Sequence, residues 1–152
     1  MTHRMVTATL ALIGLIVALY LSLWRVGLIG TLACGAEGGC DTVQTSSYAA
    51  FLGIPVAFYG VAGYVALLGV SLVGLQPRWI VRREPTIALA ILAGLGVAFS
   101  AYLTYLEAAV IHAWCGYCIL SAGIITGILV AAIVGFRDGQ RRTEANKADS
   151  KS

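Results

Sequence analysis

The sequence predicts an all-α integral membrane protein: a four-transmembrane-helix bundle with a large extracytoplasmic loop between helices 1 and 2 capping one end. Three observations carry this. Of 152 residues, 59% are hydrophobic and 11% charged, an apolar share above that of soluble domains. Four charge-poor runs, at about 5–23, 56–75, 86–106 and 119–136, are long enough at about 1.5 Å per residue to cross or nearly cross a hydrocarbon core of roughly 30 Å. Eighteen glycines suit a bundle in which small residues let helices approach closely.

The first run follows a short polar start with Arg4 and ends at Trp24, an aromatic anchor for the interface. It exceeds the roughly 7–15 residues of a signal-peptide core, and no small-residue cleavage site closes it promptly. Residues 25–53 form the long loop. Within it, Asp41 is placed to cap a short helix whose apolar side would hold Val43, Tyr48, Phe51 and Leu52. Three glycines between Cys34 and Cys40 leave that backbone loose.

Gly53-Ile54-Pro55 opens the second span, with proline suited to a first helical turn. Residues 76–85 are a polar connection. The third span ends near Tyr102 and Tyr105, and a short link with Glu107 and His112 leads to Cys115-Gly116-Tyr117-Cys118 at the head of the fourth. Residues 137–152 read as a polar, disordered tail following a membrane domain of residues 1–136.

Four spans put both termini on one side. Nine of the ten lysines and arginines fall on that side: Arg4, Arg78, Arg82, Arg83, Arg137, Arg141, Arg142, Lys147 and Lys151, with only Arg25 opposite. The positive-inside rule makes the termini cytoplasmic. All four cysteines then lie at the extracytoplasmic boundary, where disulfides persist. The net charge of +3 gives no ground for a nucleic-acid partner.

Two thiols three residues apart at a helix start can open and close a disulfide, and the positive helix end favours thiolate. Cys34 and Cys40, on the loop, are able to reach them for thiol–disulfide exchange. The residues leave other readings open: structural disulfides in a non-enzymatic scaffold, or a zinc site, for which the Cys34–Cys40 spacing is poor.

The chain resembles the vitamin K epoxide reductase family in its bacterial branch. The likeness rests on Cys34-x5-Cys40 in the first outer loop, Ser46 six residues later, Gly53-Ile54-Pro55 entering span two, and Cys115-x-x-Cys118 entering span four, and covers roughly residues 5–136. It implies a four-helix catalytic bundle around a quinone and a protein-dithiol:quinone oxidoreductase that supports disulfide formation in extracytoplasmic proteins. In the implied relay, a thioredoxin-fold (DsbA-like) partner forms a mixed disulfide with Cys40. Cys34 then passes electrons to Cys115, and Cys118 faces the quinone as thiolate. Ser46 matches a serine that supports the quinone site, and no metal is implied.

Two departures shape these expectations. The chain ends soon after span four, so the partner is expected to be a separate protein. Ala122 stands where animal members have a tyrosine contacting vitamin K, which points to menaquinone or ubiquinone rather than an epoxide as substrate; quinone recycling is the alternative role. A second, unrelated four-helix disulfide-generating quinone reductase puts its Cys-x-x-Cys in the first outer loop, the reverse of this order. The implied location is the bacterial inner membrane.

Overall fold

The computed structural model describes residues 2–33, 39–79 and 84–150. Cys34, Arg82, Arg83 and Lys151 lie outside them. Four helices are long and apolar enough to cross a membrane: α1 (Thr2–Arg25), α3 (Val56–Leu75), α4 (Glu84–Leu106) and α5 (Gly116–Asp149). Between α1 and α3 come a short α2 (Gly39–Thr45), a 3-10 turn at Ser47–Ala49, and a two-strand hairpin of β1 (Ala50–Phe51) and β2 (Ile54–Pro55). The chain is thus an all-α membrane protein apart from this hairpin.

Local chemistry sets the ends. In α1, Leu28 N–H donates to Leu23 O (3.0 Å) and Gly27 N–H to Trp24 O (2.9 Å), with Gly27 at φ +78°. That is a Schellman stop, in which glycine takes the left-handed position. Gln76 N–H closes α3 onto Val73 O at 3.1 Å, and Pro77 follows because it cannot continue a helix. Glu84 and Pro85 begin α4, an acid and a proline suited to a first turn. A π-helical turn, Glu107–Ile111, extends α4, and His112 ends it in the left-handed region at φ 55°.

The long helices alternate in direction and pack as a ring, α1 on α3 and α5, and α4 on α3 and α5. Their shared core holds Ala11, Ala18, Tyr64, Leu67, Ala93 and Ile128. Gly14 is needed for this: a Cβ there would overlap the Tyr64 ring. Large apolar side chains such as Ile16, Leu95 and Val130 remain on the outside, where lipid rather than water receives them.

The end away from the cysteines is tied by Arg4, which is buried. Its guanidinium donates to Gly74 O in the last turn of α3, and at 3.5 Å to Trp79 O and to Thr86 Oγ1 of α4. One side chain thereby joins α1, α3 and α4.

Two expectations need correction. The tail expected to be disordered from residue 137 continues α5 to Asp149. It contains no proline and is rich in helix formers, with Asp138/Arg141 and Glu144/Lys147 at helical spacing. The loop helix is also shorter than its apolar pattern suggested. Only Val43 of the four expected residues is buried; Tyr48, Phe51 and Leu52 are exposed. The Ser46 hydroxyl donates back to Val43 O at 2.7 Å, offering the backbone an exit from the helix. The chain then reverses through Leu52 and Gly53, both at positive φ, as a two-residue hairpin turn requires. Asp41 sits in the first turn of α2.

Candidate active site

The first turn of α5 is built on its own cysteines. Cys115 is the N-cap in extended conformation, and its sulfur accepts the Cys118 N–H at 3.4 Å. The thiol of an N-cap thus takes the place of the usual hydroxyl or carboxylate. Cys115 and Cys118 are free thiols, the first fully buried and the second half-buried. The Cys118 thiol beside it holds Cys115 below the usual thiol value, and the Cys118 backbone N–H adds to this; burial opposes both and does not prevail.

The loop packs directly on this turn. Cys40, in the first turn of α2, is disulfide-bonded and buried. With Val43 and Cys115 it forms one apolar cluster, edged by Leu32, Ile111, Tyr117 and Cys118. Gly39 makes that approach possible: a Cβ at this position would overlap the Trp114 carbonyl oxygen. Backbone against backbone leaves room only for glycine. Tyr20 and Tyr117 fix the preceding stretch. Ala33 N–H donates to Tyr20 Oη at 3.1 Å, and Tyr117 Oη donates to Ala33 O at 2.8 Å.

Three polar side chains complete the surroundings. Gln44, nearly fully buried, directs Nε2 at the Cys118 sulfur from 3.7 Å. Glu107, 2% exposed, accepts the Cys115 N–H at Oε2, 3.0 Å away. Tyr64 donates to Ser121 O at 3.0 Å and pairs with Ser121 Oγ at 2.9 Å. Sequence alone points to none of these three for chemistry, and it places Glu107 in the short link after the third span. Their signal was polarity inside or beside an apolar run, which marks function when the group faces a bundle interior.

A cavity of about 150 Å³ opens among the helices, lined by Gln44, Tyr64, Phe99, Cys118, Ser121 and mostly apolar neighbours. Engineered apolar cavities of about this volume accept a benzene ring. Gly60, Gly63 and Gly96 form part of its wall. Cys118 faces this space and Cys115 does not. A second, smaller cavity is also lined by Cys118, among Ser46, Glu107 and Tyr48.

Of the sequence-predicted residues, Cys40, Cys115 and Cys118 come together. Ser46 reaches the smaller cavity, with its hydroxyl committed to Val43 O. His112 is exposed, its Nδ1 3.2 Å from Val110 O. Among the described residues, no three His, Cys, Asp or Glu side chains are grouped to hold a metal ion. Residues 5–133 match the family model described as the vitamin K epoxide reductase family.

Proposed function

The chain belongs to the vitamin K epoxide reductase family, a family of membrane oxidoreductases, and on that premise we propose that it passes electrons from a reduced thioredoxin-fold protein through Cys34/Cys40 and Cys115/Cys118 to a membrane quinone. One observation carries the reading. Cys118 faces a ring-sized apolar cavity, while Cys115, three residues earlier, packs on a disulfide-bonded loop cysteine.

The order within the loop pair is better served in reverse of the family expectation. Among the described residues Cys40 is buried against Cys115, which supports Cys40 as the inward member and leaves Cys34 to take the mixed disulfide with the partner. Exchange then runs by thiolate attack on a disulfide sulfur. The Cys40 thiolate attacks Cys115 in its disulfide with Cys118, and Cys118 leaves toward the cavity. The partner's second thiol resolves the mixed disulfide, leaving the partner oxidised and Cys34 free; Cys34 next attacks Cys40, which restores the loop disulfide and frees Cys115. The state that follows has Cys115 and Cys118 as free thiols and the loop pair as a disulfide, with two electrons ready for the quinone. The quinone is the substrate that accepts them. Cys118 meets the ring, Gln44 and the Tyr64–Ser121 pair offer hydrogen bonds near it, and Cys115 closes onto Cys118 to finish the disulfide.

The basic residues support a cytoplasmic-membrane orientation with the cysteines outside. Stopped-flow absorbance of the purified chain with menaquinone or ubiquinone analogues and a reduced thioredoxin-fold protein tests the whole reading. Quinone loss with a transient thiolate–quinone band is the expected result; turnover that survives Cys118→Ala would remove it.

A further inference from the structure

We propose that Glu107 is the proton acceptor for the Cys118 thiol, and thus a catalytic residue of quinone reduction. This rests on the reading of Cys118 as the quinone-facing thiol.

Glu107 occupies a π-helical turn, a local widening that recurs at functional sites. Its backbone oxygen accepts N–H groups from His112 and, at 3.2 Å, Ala113. Its carboxylate accepts the Cys115 N–H at 3.0 Å, and Glu107 lines the same small cavity as Cys118. Shaping this connection needs only an acceptor, and a glutamine would serve. A carboxylate adds affinity for a proton, and burying its charge is costly.

The two cavities give it that use. Cys118 lines both, and Glu107 lines the smaller one and not the ring-sized space. Forming a thiolate beside a carboxylate would place two negative charges in a poorly solvated site. Moving the proton from Cys118 to Glu107 leaves one negative charge throughout. The overall step balances. Two S–H bonds break, one S–S bond forms between Cys115 and Cys118, and two electrons and two protons reach the quinone. Glu107 takes the Cys118 proton as the thiolate forms. It releases the proton to water in the smaller cavity, whose volume of about 30 Å³ admits a water molecule; the Cys115 proton passes to the departing quinol oxygen as the disulfide closes, and the other quinone oxygen draws its proton from solvent.

The titratable groups facing Glu107 are few. Cys115 and Cys118 face it from α5, and Tyr48 shares the smaller cavity. Val43, Gln44 and Ser46 from the loop are neutral, Cys40 is disulfide-bonded, and His112 is exposed.

The test uses the reduced full-length chain in membranes. Cys118 alkylation by a membrane-permeant maleimide is followed against pH, with the site identified by mass spectrometry, alongside quinone turnover. Glu107→Gln is expected to slow Cys118 alkylation at neutral pH by on the order of a hundredfold, with recovery as pH rises and hydroxide replaces the carboxylate. Turnover should fall in parallel with KM for the quinone unchanged, and Glu107→Asp should restore part of both. A Gln variant whose alkylation profile overlies that of the unaltered chain overturns the assignment. If the Gln variant does not accumulate, the Asp variant decides: its shorter carboxylate must displace the profile, and an undisplaced one overturns the proposal. Alkylation needs no quinone. A chain that reduces no quinone, yet whose Cys118 profile moves with Glu107, would sink the quinone reading and leave this assignment standing.

Discussion

Both ends of the bundle bury polar groups, but in different company. At the Arg4 end, the guanidinium donates to Gly74 O, Trp79 O and Thr86 Oγ1. Thr7 Oγ1 donates to Arg4 O at 2.9 Å and Ser71 Oγ to Thr7 Oγ1 at 3.5 Å. These partners are backbone carbonyls and hydroxyls with no redox chemistry. At the cysteine end, Gln44 and the Cys118 N–H are aimed at sulfur, and Glu107 holds the Cys115 N–H. The first arrangement fastens helices; the second surrounds atoms whose charge changes. The difference shows that buried polarity in a membrane bundle must be judged by what it faces.

The sharpest way to break the comparison is to remove the sulfur that faces the cavity. Cys118→Ser should reduce quinone turnover to the background rate while thermal stability stays close to that of the unaltered chain. Activity and melting of the purified variant in detergent check both halves. A large loss of stability would show that this end, too, is chiefly a fastening.

At the other end the reverse pattern is expected. Arg4→Met keeps the bulk and removes the donors, leaving Gly74 O unmatched in a buried position. Hydrogen bonds from a charged donor contribute about 2 kcal/mol, and a loss of that order should appear as a lower denaturation midpoint. Quinone turnover per folded molecule should be unchanged.

How legible these ends were in sequence differs for a physical reason. The four spans were plain because lipid demands long apolar runs of any helix that crosses it. The cysteine pairs were plain because thiols are scarce in this chain and their spacing is informative. Arg4 was legible only as a charge, because its partners lie 70 and more positions away. Gln44 and Glu107 were hidden likewise: their meaning comes from the fold bringing them to Cys118 and Cys115. The helical course past residue 137 was missed because polarity was read as disorder, although polar helix formers can prolong a helix already nucleated by its membrane part. Gly39 was read as looseness, and its true constraint, contact with the Trp114 carbonyl, is invisible until α2 is docked.

That contact supplies a third test, aimed at the hand-over between loop and helix. Gly39→Ala must push α2 away from Cys115 by enough to clear a backbone oxygen. Transfer from the loop pair to Cys115/Cys118 should slow by about tenfold, equivalent to about 1.4 kcal/mol. Quinone reduction by a chain whose Cys115 and Cys118 have been reduced chemically beforehand should keep its rate. Single-turnover kinetics started from either pair separates the two steps, and an equal loss in both would mean that Gly39 serves general packing instead.

The mildest perturbation asks whether the cavity wall belongs to the fastening or to the chemistry. Tyr64 is 4% exposed, its ring fills the space left by Gly14, and its hydroxyl reaches Ser121 on the helix that carries Cys118. Tyr64→Phe keeps the ring and deletes the hydroxyl. As fastening alone, the bond contributes about 1 kcal/mol, read as a small fall in the denaturation midpoint with turnover untouched. Because Tyr64 and its partner Ser121 line the cavity that Cys118 also lines, the expected result is a few-fold rise in KM for the quinone with kcat nearly constant, the signature of lost ground-state binding. An unchanged KM with lowered stability would place Tyr64 with Arg4, among the groups that hold the helices together.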